Sequence, residues 1–129
     1  MVKSLIILIT MIFYHIVDDY YSQGILASMK QREWWEDNAP DKLYRYDYIV
    51  ALIMHSFSWS FMIMMIPTIY SILKHNDGWY LIVLFVINVM IHAIVDDLKA
   101  NKKKINLIQD QTIHLLQIIC TWVCIMFLF

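Results

Sequence analysis

A chain of 129 residues that is 60% hydrophobic, with only two glycines and two prolines, fits one compact unit. Its apolar share exceeds the ~45–50% of an average soluble domain. A formal net charge of -1, with no Lys/Arg stripe interleaved with aromatics, argues against a nucleic-acid partner.

Four apolar segments, roughly 4–28, 48–73, 79–98 and 105–129, each reach the ~20 helical residues that a bilayer core requires. The expected fold is all-α, a single transmembrane domain over 1–129 built as an integral-membrane four-helix bundle. In the first segment, Leu5 to Phe13 is followed by His15, Asp18 and Asp19 rather than by a small-residue cleavage site. It reads as a retained span, not a signal peptide. Residues 29–47, "MKQREWWEDNAPDKLYRYD", form the interfacial loop, where Trp34, Trp35, Tyr44 and Tyr46 suit a headgroup belt. An interfacial helix with a turn at Pro40 fits this stretch, as a plain loop or as a lid. The second segment carries His55 and, late in its course, Pro67, whose kink neighbouring helices can accommodate. "KHNDG" (74–78) is a tight turn that leaves His75 solvated. The third segment, "WYLIVLFVINVMIHAIV", is the cleanest span, and the fourth is polar near its start. Cys120 and Cys124, four apart there, form neither a redox pair nor a disulfide framework and read as packing residues.

With four spans, the loops at 29–47 and 99–104 share one side. That side holds Lys30, Arg32, Lys42, Arg45, Lys99, Lys102, Lys103 and Lys104, against Lys3 and Lys74 on the other. The asymmetry places both loops in the cytoplasm and both termini outside it.

At ~1.5 Å per residue, His15 and Asp19, His55, His92 and Asp96, and Asp110 and His114 all fall in the cytoplasmic half of the spans. His15/Asp19, His92/Asp96 and Asp110/His114 are i,i+4 pairs, each sharing one helical face. Gln23, Asn88 and Gln117 extend those stripes. A charged side chain at the bilayer centre costs at least ~2.5–3.5 kcal/mol, so these groups must face the interior, paired with one another or with a cation. "HIVDD" and "HAIVDD" also echo one another, as in a duplicated hairpin. Asp18 points about 100° away from Asp19 on an ideal helix.

His15-x3-Asp19-x3-Gln23, a central His55, His92-x3-Asp96-x2-Lys99 and Asp110-Gln111-x2-His114 resemble the bacterial and phage membrane family called domain of unknown function 3307. More loosely, the pattern is similar to membrane-bound metal-dependent hydrolases. The resemblance implies a bacterial cytoplasmic (inner) membrane protein with an intramembrane metal site.

Imidazoles and carboxylates from four helices form a nitrogen/oxygen donor set that suits Zn2+, Mn2+ or Fe2+ better than Ca2+, with zinc first. The expected metal ligands are His15, Asp19, His55, His92, Asp96, Asp110 and His114. Asp18 or Asp97 is the expected general base or ligand-orienting group. Gln23, Lys99 and Gln111 are assigned to the substrate. Lys99, Lys102 to Lys104 and Arg32 would attract a phosphate at inner-leaflet headgroup level, on a phospholipid or polyprenyl phosphate. Two other readings stand beside this hydrolase: a cation or proton transporter using the same cluster, and buried His–Asp pairs that only hold the helices together. The outer halves, "LIILIT", "MIMMIP", "LIVLFV" and "CIMFLF", are nearly all apolar, which suits a site open to one face. Trp59 and the serines at 56, 58 and 60 either line the cavity or pack. The nine methionines form no copper-like stripe.

Overall fold

The computed structural model describes residues 2–74 and 78–128. All regular structure among them is helical: α1 (Val2–Val17), α2 (Leu26–Met29), α3 (Arg32–Asn38), α4 (Asp47–Leu73), α5 (Trp79–Ala100) and α6 (Leu107–Val123). Most of the expected 74–78 turn, with His75, lies outside the described residues.

α1 buries Ile7, Met11 and His15, a strict i,i+4 stripe. A π-helical turn, Asp18–Ser22, carries it on before Gly24, at φ +49°, ends it. That conformation costs glycine least. Helix one therefore stops short of the expected residue 28, and α2 begins a new direction. α4 is continuous through the buried Pro67. α6 starts on a capping box, in which Asn106 accepts from the Gln109 backbone N–H and Gln109 accepts from that of Asn106.

α4 lies against α1 and α5, and α6 lies against the same two helices. Ile7, Met11, Ile63, Met64, Leu81 and Ile118 pack the end of the structure that holds the start of α1 and the end of α4. At the other end the interior is polar. His15, Asp18, His55, His92, Asp96, Asp110 and His114 are each at most 4% exposed, whereas Ile9, Phe13, Ile53, Phe57, Ile82 and Leu116 are about half exposed or more. This inverts the distribution of a water-soluble core. The stretches Lys42–Leu73, Trp79–Ala100 and Leu107–Phe127 are long and apolar enough to cross a membrane. α1, with 16 α-helical residues, is not among them.

The 26–38 segment straps the polar end. Asn101 at the end of α5 accepts from the Arg32 backbone N–H (2.7 Å) and donates to the Lys30 carbonyl (3.2 Å). Lys103 pairs with Glu33, and the Trp35 indole donates to the Met29 carbonyl at 2.6 Å. The expected interfacial helix is present as two short helices, α2 and α3, while the chain is irregular at Pro40 and turns at Lys42–Tyr44.

Candidate metal centre

Four helices deliver the cluster because each places its polar residues at the same height, in the half nearer the strap. At its middle, the Nε2 atoms of His55 and His92 stand 3.1 Å apart. Asp96 Oδ2 lies 3.2 Å from the first and 3.7 Å from the second, and Asp19 Oδ1 lies 3.6 Å from His55 Nε2. Ligands held tetrahedrally at ~2.0–2.1 Å from an ion are separated by about 3.3–3.4 Å, so this spacing fits a metal. Two overlapping groups can hold an ion: Asp19, His55 and His92, and His92, Asp96 and His114. His92 is common to both groups.

The surroundings support the same donor set. Asp18 lies behind His55, with Oδ2 3.8 Å from Nδ1, and is anchored by a 2.8 Å hydrogen bond from Ser58. A carboxylate on the far nitrogen is the usual way to orient a ligating imidazole. Trp59, His92 and His114 form a continuous stack, with ring centroids 4.2 and 4.1 Å apart, which fixes the ring planes. Buried His92 Nδ1, His114 Nδ1, Asp18 Oδ2 and Asp110 Oδ1 have no hydrogen-bond partner among the described residues. Each such atom costs ~1–3 kcal/mol unless something satisfies it.

Charge points the same way. Asp18, Asp19, Asp96 and Asp110 gather at this end of the interior, while Lys30 and Lys99 reach them, 2.6 Å from Asp96 and 2.7 Å from Asp110. If all imidazoles are neutral, the four carboxylates exceed the two lysines by two charges, a difference that either protonated histidines or one divalent ion would meet. Buried carboxylates without compensation are too costly to persist.

His15 departs from the expectation that it is a ligand. The Trp59 indole N–H, which can only donate, donates to His15 Nδ1 at 2.8 Å. The proton therefore sits on Nε2, which donates to Gln111 Oε1 at 3.0 Å. The Gln111 amide in turn donates to Asp110 Oδ2 (3.1 Å) and Asp19 Oδ2 (3.3 Å). Both imidazole nitrogens are committed, and His15 becomes a relay that aims Gln111 at two carboxylates. Gln23 holds Asp19 from the other side at 3.0 Å.

Asp97 and Asp18 are also placed differently from what their spacing suggests. Asp97, expected as a general base, faces the groove between α4 and α5, where Asn101 (3.0 Å) and Lys102 (2.8 Å) engage it. It joins none of the cluster's contacts, because it is turned one step, about 100°, from Asp96 on α5. Its hydrogen bond and charge hold the Lys102 ammonium pKa above the usual lysine value. Asp18 was expected to point away from Asp19, yet it is buried. Both residues sit in the π-helical turn that follows α1 and packs on α4, with Asp18 turned to α4 and Asp19 to the cavity.

Lys30 was read from the sequence only as a loop charge. Its ammonium rests on the Asp96 oxygen shared with His55 and His92. Lys30→Met is expected to tighten divalent-metal binding about tenfold by removing a competing cation, measured by competition with a chromophoric chelator. Trp59 carried a legible signal, lying one helical turn beyond His55 on the same face. Lys30 carried none, since its place depends on the strap.

A cavity of about 440 Å³ opens on the strap side above the cluster. Asp19, Asp96 and Asp110 line it together with Lys30, Lys99 and Lys103. Beneath the histidines, Asn88, Gln117 and Thr121 form a polar knot between α5 and α6, with contacts of 2.8 to 3.1 Å. The apolar core then closes the interior. The chain matches no protein-family model, no curated protein and no solved structure.

Proposed function

We propose that the chain lies in the bacterial cytoplasmic membrane as a four-helix bundle and is a metal-dependent hydrolase of a phosphorylated, lipid-linked substrate. One divalent ion, zinc ahead of manganese or iron, would be held by His55, His92, Asp96 and Asp19. The observation that carries this reading is the one-sided cavity, with the His/Asp cluster beneath it and three lysines along its wall. A bound metal there would polarise a phosphoryl oxygen and supply a water ionising near pH ~7. Lys30, Lys99 and Lys103 attract and orient the phosphate, and Gln111 keeps Asp19 and Asp110 aimed inward. Asp110 lines the cavity with Oδ2 on Lys99 and Oδ1 3.4 Å from His114 Nε2, and this Asp110–His114 pair would take the proton-accepting role first given to Asp18 or Asp97. The sequence resemblance to the domain of unknown function 3307 is in keeping with the membrane part of the reading, and the looser similarity to membrane-bound metal-dependent hydrolases with the metal part.

The test is phosphate release from a polyprenyl phosphate by detergent-purified protein. Release is expected to require the divalent ion and to vanish with a chelator and in His92→Ala. The Asn88–Gln117–Thr121 knot, which carries polar contacts deeper than the histidines, favours the second reading, a cation or proton pathway. Ion flux in liposomes without phosphate release would select that reading instead.

A further inference from the structure

A second depression, about 530 Å³, runs along the outside between α1 and α6. Ile12, Ile16, Tyr21 and Leu115 line it, with His15 and Gln111 at its inner edge. Tyr20 and Gln111 belong to this groove and to the polar cavity alike, so the two are contiguous around one pair of side chains. The groove is apolar toward the outer surface and polar where it meets the cavity. The cavity beyond carries Lys30, Lys99 and Lys103.

We infer that this groove is the lateral entry and chain-binding site for an amphiphile, with its phosphate headgroup in the lysine-lined cavity and its hydrocarbon chain between α1 and α6. The inference rests on reading the cavity as a substrate site, and it names the substrate class as a membrane lipid bearing a phosphate monoester. Three features select that occupant. The groove opens among the apolar exterior of Ile9, Phe13 and Leu116, where a chain meets lipid rather than water. The two compartments differ in polarity in the order in which an amphiphile does. Gln111, at the junction, is held by His15 on the groove side and by Asp19 and Asp110 on the cavity side, so a headgroup passing it contacts the same network that orients the carboxylates.

The probe is hexadecyl phosphate with a diazirine in its chain, photolysed with the full chain in detergent, followed by mapping of the labelled residues. Labelling is expected at Ile12, Ile16 and Leu115 and to fall at least about tenfold in Leu115→Trp, which fills the groove. Phe57→Trp, on the exposed face of α4, is expected to leave the yield unchanged. The matching diazirine alcohol, lacking phosphate, is expected to label these positions several-fold less. Thermal melts verify that each variant is folded. Labelling spread evenly over the exposed faces of α4 and α5, or unaffected by Leu115→Trp, overturns the groove; equal labelling by the alcohol overturns the headgroup assignment. The readout needs no turnover, so a failed hydrolase assay leaves the groove standing. Turnover without groove labelling would remove the groove alone.

Discussion

Asp96→Asn is expected to abolish stoichiometric metal and to destabilise the fold by about 3–5 kcal/mol, the range seen when one partner of a buried ion pair is removed. Asp96 is 4% exposed and meets four groups at once: Lys30 at 2.6 Å, His55 at 3.2 Å, His114 at 3.3 Å and His92 at 3.7 Å. The amide keeps the shape and removes the charge, which leaves the Lys30 ammonium inside without its counter-ion. The double variant Asp96→Asn/Lys30→Met separates the two effects. It is expected to recover most of the lost stability while remaining metal-free, as read by denaturation midpoints in detergent together with elemental analysis. Full additivity of the two substitutions would mean that the pair does not interact in solution.

The contrast between His92→Ala and His15→Ala is the second large effect. His92→Ala removes the imidazole common to both groups that can hold an ion, and it unstacks Trp59 from His114. Metal content is expected to fall from about one equivalent to less than about a tenth. His15→Ala is expected to keep nearly all of the metal but to lose on the order of 1–3 kcal/mol of stability, because the Trp59 N–H is left buried without a partner while the part-buried Gln111 carbonyl turns to the cavity. Equal loss of metal in the two variants would return His15 to the ligand set.

These two histidines also show what the sequence could and could not reveal. Depth was legible, because a fixed rise per residue ranks His15, His55, His92 and His114 without any knowledge of packing. Face was legible where an i,i+4 pair defined it, as for His92 and Asp96. Partners were not, since spacing cannot say that a tryptophan on another helix donates to His15 Nδ1 and thereby removes it from the donors. Asp97 and Asp18 illustrate the same limit with opposite outcomes. Each lies one residue from an inward aspartate, and only the neighbouring helices decide which turns in. α5 leaves Asp97 to Asn101 and Lys102, whereas the π-helical turn after α1 sets Asp18 against Ser58 of α4. The helical class followed from the apolar runs and the shortage of glycine and proline. The end of the first helix did not, because it is set by the backbone at Gly24 rather than by hydropathy.

Lys30 and the strap extend this point to function. A loop tied down by Asn101 delivers a cation to the centre of the cluster, so the same segment that closes the polar end also tunes the charge beneath it. Together with Lys99, it leaves the four carboxylates two charges short when the imidazoles are neutral, and we propose that a divalent ion makes up the difference.

That claim is tested most directly by metal analysis and X-ray absorption on the detergent-purified protein. The expected result is about one divalent ion per chain, with nitrogen and oxygen ligands at ~2.0–2.2 Å and an imidazole signature that disappears in His92→Ala. Protein that stays metal-free after incubation with zinc, manganese and ferrous iron, with its histidines protonated against the aspartates, would contradict it.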